Sequence, residues 1–230
     1  MRGVRDRPAS GFVPGAGRIV KAMSRVPAEQ RREQLIEATI DLAIEEGLAA
    51  ASVRRIADRA NVSLGVVHYC FNSKEALLSG VAESFATPIL GPVAAAIEEG
   101  DAQGLSMRDL VFKAFDAYKV QMRRAPGRQL LSYELAAWSI RSDGEVARVL
   151  YTTYLDVLEG FISEGLKLEG TEQLSTRTLA RVILSLVDGV TFSWLVDRDD
   201  EAIDEVVRIV LDSVVGHLEG TALGSLNVGG

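Results

Sequence analysis

Between Ser52 and Lys74 the chain sets cationic and hydrogen-bonding side chains along two short stretches of helical spacing. Arg54 and Arg55 stand at the head of the first, behind Ser52. Ser63, Leu64, Gly65 and Val66 open the second, and His68, Tyr69, Asn72 and Lys74 follow. Guanidinium and ammonium groups neutralise phosphate, and short side chains at the start of a helix reach base edges when that helix lies in the major groove of duplex DNA. This is the chemistry of recognition. The residues for bond making are missing: the two histidines are His68 and His217, and the sequence has no Ser/His/Asp set, glycine-rich phosphate loop or paired carboxylates in a pocket-like context. His68 and Cys70 are two apart, a spacing that does not place two ligands on one helix face, so no metal and no cofactor are expected.

The elements that must position these groups are legible from periodicity. Pro27 begins a helix with Leu35, Ile36, Thr39, Leu42 and Ala43 on one face and Gly47 as its stop. Ser52 offers a cap to a second helix, Val53 to Ala60, whose inward residues are Val53, Ile56, Ala57 and Ala60. Asn61 and Val62 turn the chain, Ser63 caps a third helix reaching about Phe71, and Ser73 caps a fourth from Lys74. Two short helices joined by a tight turn and packed on a longer one form a helix-turn-helix. Thr87-Pro88 and Gly91-Pro92 are expected to kink or end the fourth helix. Further helices are expected over Ser106–Arg124, Pro126–Ser139, Gly144–Leu168, Thr176–Val196 and Asp200–Leu218, with no strand alternation anywhere.

The stretch from Ser52 to Leu78 resembles the DNA-binding domain of TetR-type (tetracycline-repressor-like) regulators. The pattern is Ser52-Val-Arg54, Ile56-Ala57, Val62-Ser63, Tyr69, Phe71 and Lys74-Glu75-Ala-Leu77, and the likeness extends over about Arg31 to Phe85. It implies an all-α fold: an N-terminal three-helix helix-turn-helix domain and a C-terminal helical bundle for ligand binding and dimerisation. It further implies a ligand-responsive repressor, not an enzyme, that holds a palindromic operator in double-stranded DNA as a homodimer and is released by a small-molecule effector. Ser52, Arg54, Arg55, Ser63, Leu64, Gly65, Val66, His68, Tyr69, Asn72 and Lys74 match the DNA-contacting positions, Arg54 open to bases and Arg55 to phosphate. Val67 and Phe71 face the core. The chain departs from the family at His68, where tyrosine is usual, and at Cys70, where histidine is usual. Leu64, Gly65 and Val66 offer few hydrogen bonds to base edges, so thymine methyl contacts, Arg54 and DNA deformability are expected to supply much of the specificity.

Charge is divided accordingly. The net charge is −7, yet residues 1–74 hold 12 Lys and Arg against 8 Asp and Glu, while residues 75–230 hold 13 against 24. A mildly basic head on an acidic body is the asymmetry expected when one end meets DNA. The expected organisation is a basic flexible arm (1–24), the helix-turn-helix domain (25–75), the helical ligand-binding and dimerisation domain (76–219) and a loose tail (220–230). Arg2, Arg5, Arg7, Arg18, Lys21 and Arg25 of the arm are within the chemistry of phosphate contact, and Met23 lies just before the first helix.

In the body, aromatic residues recur at helical spacing, and Tyr118, Tyr133, Glu134 and Trp138 are the candidates for lining a ligand pocket. Glu134 beside aromatics would suit a cationic or amphipathic ligand. The last two long helices carry more apolar face than one neighbour covers, and in the resembled family such helices form a two-fold four-helix interface. A two-fold places the recognition helices on the order of 34–36 Å apart, one turn of DNA, or a multiple of it. The single cysteine excludes an internal disulfide. The best apolar run, Val182 to Val196, is interrupted by Asp188 and falls short of the roughly 18–20 residues of a bilayer span. The basic N-terminus lacks the apolar segment of a signal peptide, so a cytoplasmic protein is expected. The alternatives from other classes are a helical enzyme and a helical protein-interaction scaffold, both without salt-dependent DNA retention.

Overall fold

The computed structural model describes residues 27–165 and 175–218, and the expected arm and tail lie outside the described residues. Helix α1 (Ala28–Glu46) starts behind Pro27 and buries Leu35, Ala38, Thr39, Leu42 and Ala43. The Thr39 hydroxyl is satisfied in this core by donating to the Leu35 carbonyl at 2.7 Å. Gly47 ends the helix at φ 85°, a conformation costly for residues with a Cβ. A short 3-10 turn, Leu48–Ala50, then leads to α2 (Val53–Arg59), where the Ser52 hydroxyl accepts from the Arg55 amide at 3.4 Å.

The turn after α2 is closed by the Val62 amide bonding back to the Ala57 carbonyl at 3.0 Å, with Asn61 left-handed at φ 52°. Asparagine tolerates that region better than most residues. Helix α3 (Leu64–Cys70) follows. Contrary to the expectation of a side-chain cap, the Ser63 hydroxyl makes no capping bond. The Val66 amide, the donor it would have taken, bonds instead to the Ser63 carbonyl at 2.9 Å. Helix α4 (Lys74–Ser84) is capped by Ser73, which accepts from the Ala76 amide at 3.1 Å.

The proline-rich segment agrees with expectation in that α4 ends before Thr87-Pro88, and departs from it at Gly91-Pro92. The chain leaves α4 at Phe85–Ala86, but Thr87–Ala102 forms a further helix, α5, that contains Pro92. Pro92 lies in the second turn, where it forfeits one bond to the Pro88 carbonyl, and packing of α5 along α6 (Met107–Arg124) outweighs that loss. Gly100 allows the pair to approach: a Cβ there would lie 2.5 Å from Leu110 Cδ2. Helices α7 (Pro126–Ile140), α8 (Glu145–Gly165), α9 (Thr176–Asp197) and α10 (Asp200–Leu218) complete the body, and there is no strand among the described residues.

Three cores result. The first joins α1–α4 to Leu131 and Leu135 of α7 and Val146 and Leu150 of α8. The second packs Phe115, Tyr118 and Met122 of α6 against Val190 and Trp194 of α9 and Ile203, Val207 and Leu211 of α10. The third lies between α8 and α9, around Leu155, Ile162, Leu179 and Leu184. By length and composition α9 and the stretch Lys74–Ala102 are apolar enough to cross a membrane, which corrects the shorter run expected from sequence. The stretch is broken at Phe85–Ala86, and one face of α9 is committed to the second and third cores.

Candidate nucleic-acid interface and ligand cavity

Helix α3 is held by its inner residues and presents the rest. Val67 and Phe71 are buried, whereas Ser63, Leu64, Gly65, His68 and Tyr69 are exposed and Val66 is half-buried. Tyr69 is 76% exposed, far more than a ring with an intramolecular role requires. Ser52, Arg54, Arg55 and Asn72 are also exposed, and Lys74 is half-buried at the first turn of α4.

Gly65 has no intrachain reason to be glycine. A Cβ there would meet nothing closer than the Ser63 hydroxyl at 3.8 Å. Glycine inside a helix costs about 0.5–1 kcal/mol relative to alanine, so its presence fits close approach by an outside surface. Gly65→Ala is therefore expected to raise thermal stability slightly while weakening operator binding. Calorimetry and fluorescence anisotropy on the same preparation check this, and tighter DNA binding by the variant would refute it.

The arginines differ. Arg55 is folded back onto Glu46 at 2.5 Å, an exposed ion pair that pulls the Glu46 carboxyl below its usual range. Arg59 pairs likewise with Glu45. Arg54 has no such pair among the described residues, which leaves its guanidinium the freer of the two adjacent cations. Arg55 would have to exchange a carboxylate for a phosphate.

One positioning residue escaped the sequence reading. Arg32 of α1 lies over the Phe71 ring, 4.2 Å from its centroid, and donates to the Cys70 carbonyl at 2.5 Å. A cation at the end of α3 both satisfies a terminal carbonyl and favours the helix dipole, fixing the angle at which α3 leaves α1. Only the partner's position in space marks it, since an arginine on α1 otherwise reads as solvated surface. No group of three or more metal-ligating side chains occurs among the described residues.

The body encloses a cavity of about 140 Å³ between α5, α6, α7, α8 and α9, with Leu211 of α10 in its wall. Tyr118 and Tyr133 line it, and Glu134 and Trp138 do not. Helix α7 turns Gln129, Ser132 and Tyr133 to the cavity, while Leu131, Leu135 and Trp138 pack towards the head core. These two sets lie on different faces of a 3.6-residue helix.

The acid in the wall is Asp188, joined there by Tyr154. Its surface is accessible, yet apolar walls crowd the carboxyl and thin its hydration, so desolvation raises it to about 6. The Tyr133 hydroxyl donates to the Asp188 backbone carbonyl at 3.0 Å, and Tyr118 and Thr191 share a hydrogen bond between their hydroxyls. All three tyrosines are pushed above the ordinary phenol range, by burial first and by the Asp188 charge among the other causes.

Residues 35–81 match the model described as bacterial regulatory proteins, tetR family. Over 196 residues the chain is 25% identical to the nicotine-responsive transcriptional repressor HdnoR of Paenarthrobacter nicotinovorans, covering 83% of this chain and 98% of the relative. A transcriptional regulator from Rhodococcus sp. Rha1 superposes with a TM-score of 0.61 at 22% identity, covering 81% of this chain and 96% of that one. FadR from Bacillus subtilis, solved in complex with stearoyl-CoA, gives 0.56 at 20% identity, covering 80% and 97%. The structural likenesses concern fold, and together with the sequence match over α1–α4 they agree with an exposed α3 anchored by Val67 and Phe71. Over residues 35–81, from α1 into α4, the chain is thus similar to the tetR family of bacterial regulatory proteins.

Proposed function

We propose that this protein is a ligand-responsive transcriptional repressor that binds a palindromic operator as a homodimer and lets go when a small effector enters the cavity of the body. The observation that carries this is α3: Val67 and Phe71 anchor it while its first turn, His68 and Tyr69 stay uncovered. Ser52, Arg54, Arg55, Asn72 and Lys74 flank that surface and supply the phosphate contacts, and the residues of 1–24 add to them. The division into a head (25–75) and an effector and dimer body (76–219) follows from these roles, and a cytoplasmic site of action follows from the need to reach DNA.

Effector response is supported by the route between the sites. Helix α7 lines the cavity with Tyr133 and enters the head core with Leu135, and α8 does the same with Tyr154 and Leu150. Ile89 of α5 also lines the cavity, and Phe85 at the end of α4 lies in the head core. A ligand changes operator affinity only by its differential affinity for two arrangements of these helices. The relative HdnoR is named for its response to nicotine.

The direct test is retention of genomic duplex DNA on immobilised protein across a salt series. Binding should weaken steeply, by roughly 10³–10⁵ between 50 and 200 mM salt for six to ten phosphate contacts. Indifference to duplex DNA at low salt would remove the proposal, and with it the choice over an enzyme or scaffold.

A further inference from the structure

The cavity wall holds one charge and nothing to balance it. Isoleucine, leucine, valine and phenylalanine make up most of the lining, and Tyr118, Gln129, Ser132, Tyr133, Tyr154 and Asp188 are its polar members. No lysine, arginine or histidine is among them. The Asp188 carboxylate has no ion pair or hydrogen bond of its own among the described residues, since the contact from Tyr133 goes to its backbone. Asp188 keeps contact with solvent, but apolar walls thin the hydration of its carboxylate, so a counter-ion arriving in the cavity would be favoured. The three tyrosines line the same cavity, near enough for the Asp188 charge to act on each phenol, and they come from three helices, α6, α7 and α8. Carboxylate and π-faces together attract an organic cation. An anionic ligand would find hydroxyl and amide donors there but no cation, and the Asp188 charge would repel it.

We propose that the effector of this cavity is an amphipathic organic cation, a protonated or quaternary amine on an apolar skeleton, with Asp188 as its counter-ion and Tyr118, Tyr133 and Tyr154 as its aromatic surround. This rests on the effector role proposed for the cavity but is separable from it. The ammonium would occupy the α7–α9 side of the cavity, at Asp188 and Tyr133, and its apolar part would lie along Ile89 and Val93 of α5 and Leu110 of α6. Organic acids and acyl thioesters are excluded by the same charge, in contrast to the stearoyl-CoA held by FadR.

Calorimetric titration of the full chain at pH 8 with octyltrimethylammonium, octanol and octanoate, which share one tail, tests this. The cation is expected to bind roughly tenfold or more tighter than the alcohol, and octanoate most weakly. Asp188→Asn, which keeps the shape, should remove that preference while leaving octanol binding within about twofold, and Asp188→Glu should keep the preference. Below pH 6 the carboxylate takes up a proton, so the cation preference should fade as pH drops through that value, with the tyrosines neutral throughout. Octanoate binding as tightly as the cation would overturn the proposal. So would equal loss of cation and alcohol in a folded Asp188→Asn variant. Operator retention on the same samples separates the two ideas. A cation bound through Asp188 without DNA release keeps this site and sinks the regulatory role, whereas release by octanoate keeps the role and sinks this site.

Discussion

Glutamate at Phe192 is expected to convert the protein into a monomer and to weaken binding to a palindromic operator by about a hundredfold or more, because the second half-site is lost with the partner. The outer faces of α9 and α10 carry large apolar side chains that the described residues leave exposed. Phe192 is 58% exposed and Val196 73%, with Val182 on the same helix and Val206 and Ile209 on α10. The inner faces of these helices are already satisfied by Val190, Trp194, Val207 and Leu211. Full burial of one such side chain is worth about 1.5–3 kcal/mol, and a two-fold axis counts each position twice. A pair of carboxylates in that interface reverses the sign of the contribution. Sedimentation equilibrium and anisotropy with a palindromic duplex measure the two consequences together. Since Phe192 also meets the Tyr133 ring edge-on, at 5.9 Å between centroids, Val196→Glu serves as the companion variant that leaves this ring pair intact. A dimer persisting in both variants, with operator affinity unchanged, would show that this face is not the interface.

The head was legible because its determinants are local. Ser52, Ser73 and Gly47 act within one turn of their own positions, and Val67 and Phe71 reveal themselves by helical period. Ser63 misled because its own carbonyl competes for the amide its hydroxyl would cap, a choice made by geometry and not by residue type. Helix α5 was hidden by Pro88, Gly91 and Pro92, whose propensity is overridden by packing on α6. The cavity was legible only in part. Tyr118 and Tyr133 stand out as aromatics at helical spacing, but the face of α7 that meets the cavity is set by α8 and α9, and it leaves Glu134 and Trp138 outside the lining. Asp188 stood out in the sequence as an interruption in an apolar run. Its meaning depends on α6, α7 and α8 bringing three phenols to it from as many segments of the chain. Arg32 is of the same kind, a residue whose role is assigned wholly by what lies opposite.

Leu135→Ala should lower stability by about 2–5 kcal/mol, the cost of an unfilled void at a fully buried leucine. For a chain of this size that is a fall of roughly 4–20 °C in Tm, at about 2–4 °C for each kcal/mol. What distinguishes this site from other leucines is its neighbours. Leu135 stands on α7 one turn from Leu131, and both share a core with Leu35, Leu42 and Ile56 of the head and with Val146 and Leu150 of α8. Head and body are therefore expected to melt in one calorimetric transition, in the wild type as in the variant, because no boundary runs between their apolar contacts. Leu179→Ala makes the informative comparison: it is equally buried but belongs to the α8–α9 core, away from the head. Amide exchange should show α1–α3 opening more readily in Leu135→Ala than in Leu179→Ala at matched global stability. Two separate transitions, with the head melting unchanged in Leu135→Ala, would mean that the shared core does not couple them. If the single transition holds, a void at Leu135 should also blunt effector-induced release more than one at Leu179, since α7 is the helix on which Tyr133 and the head core meet.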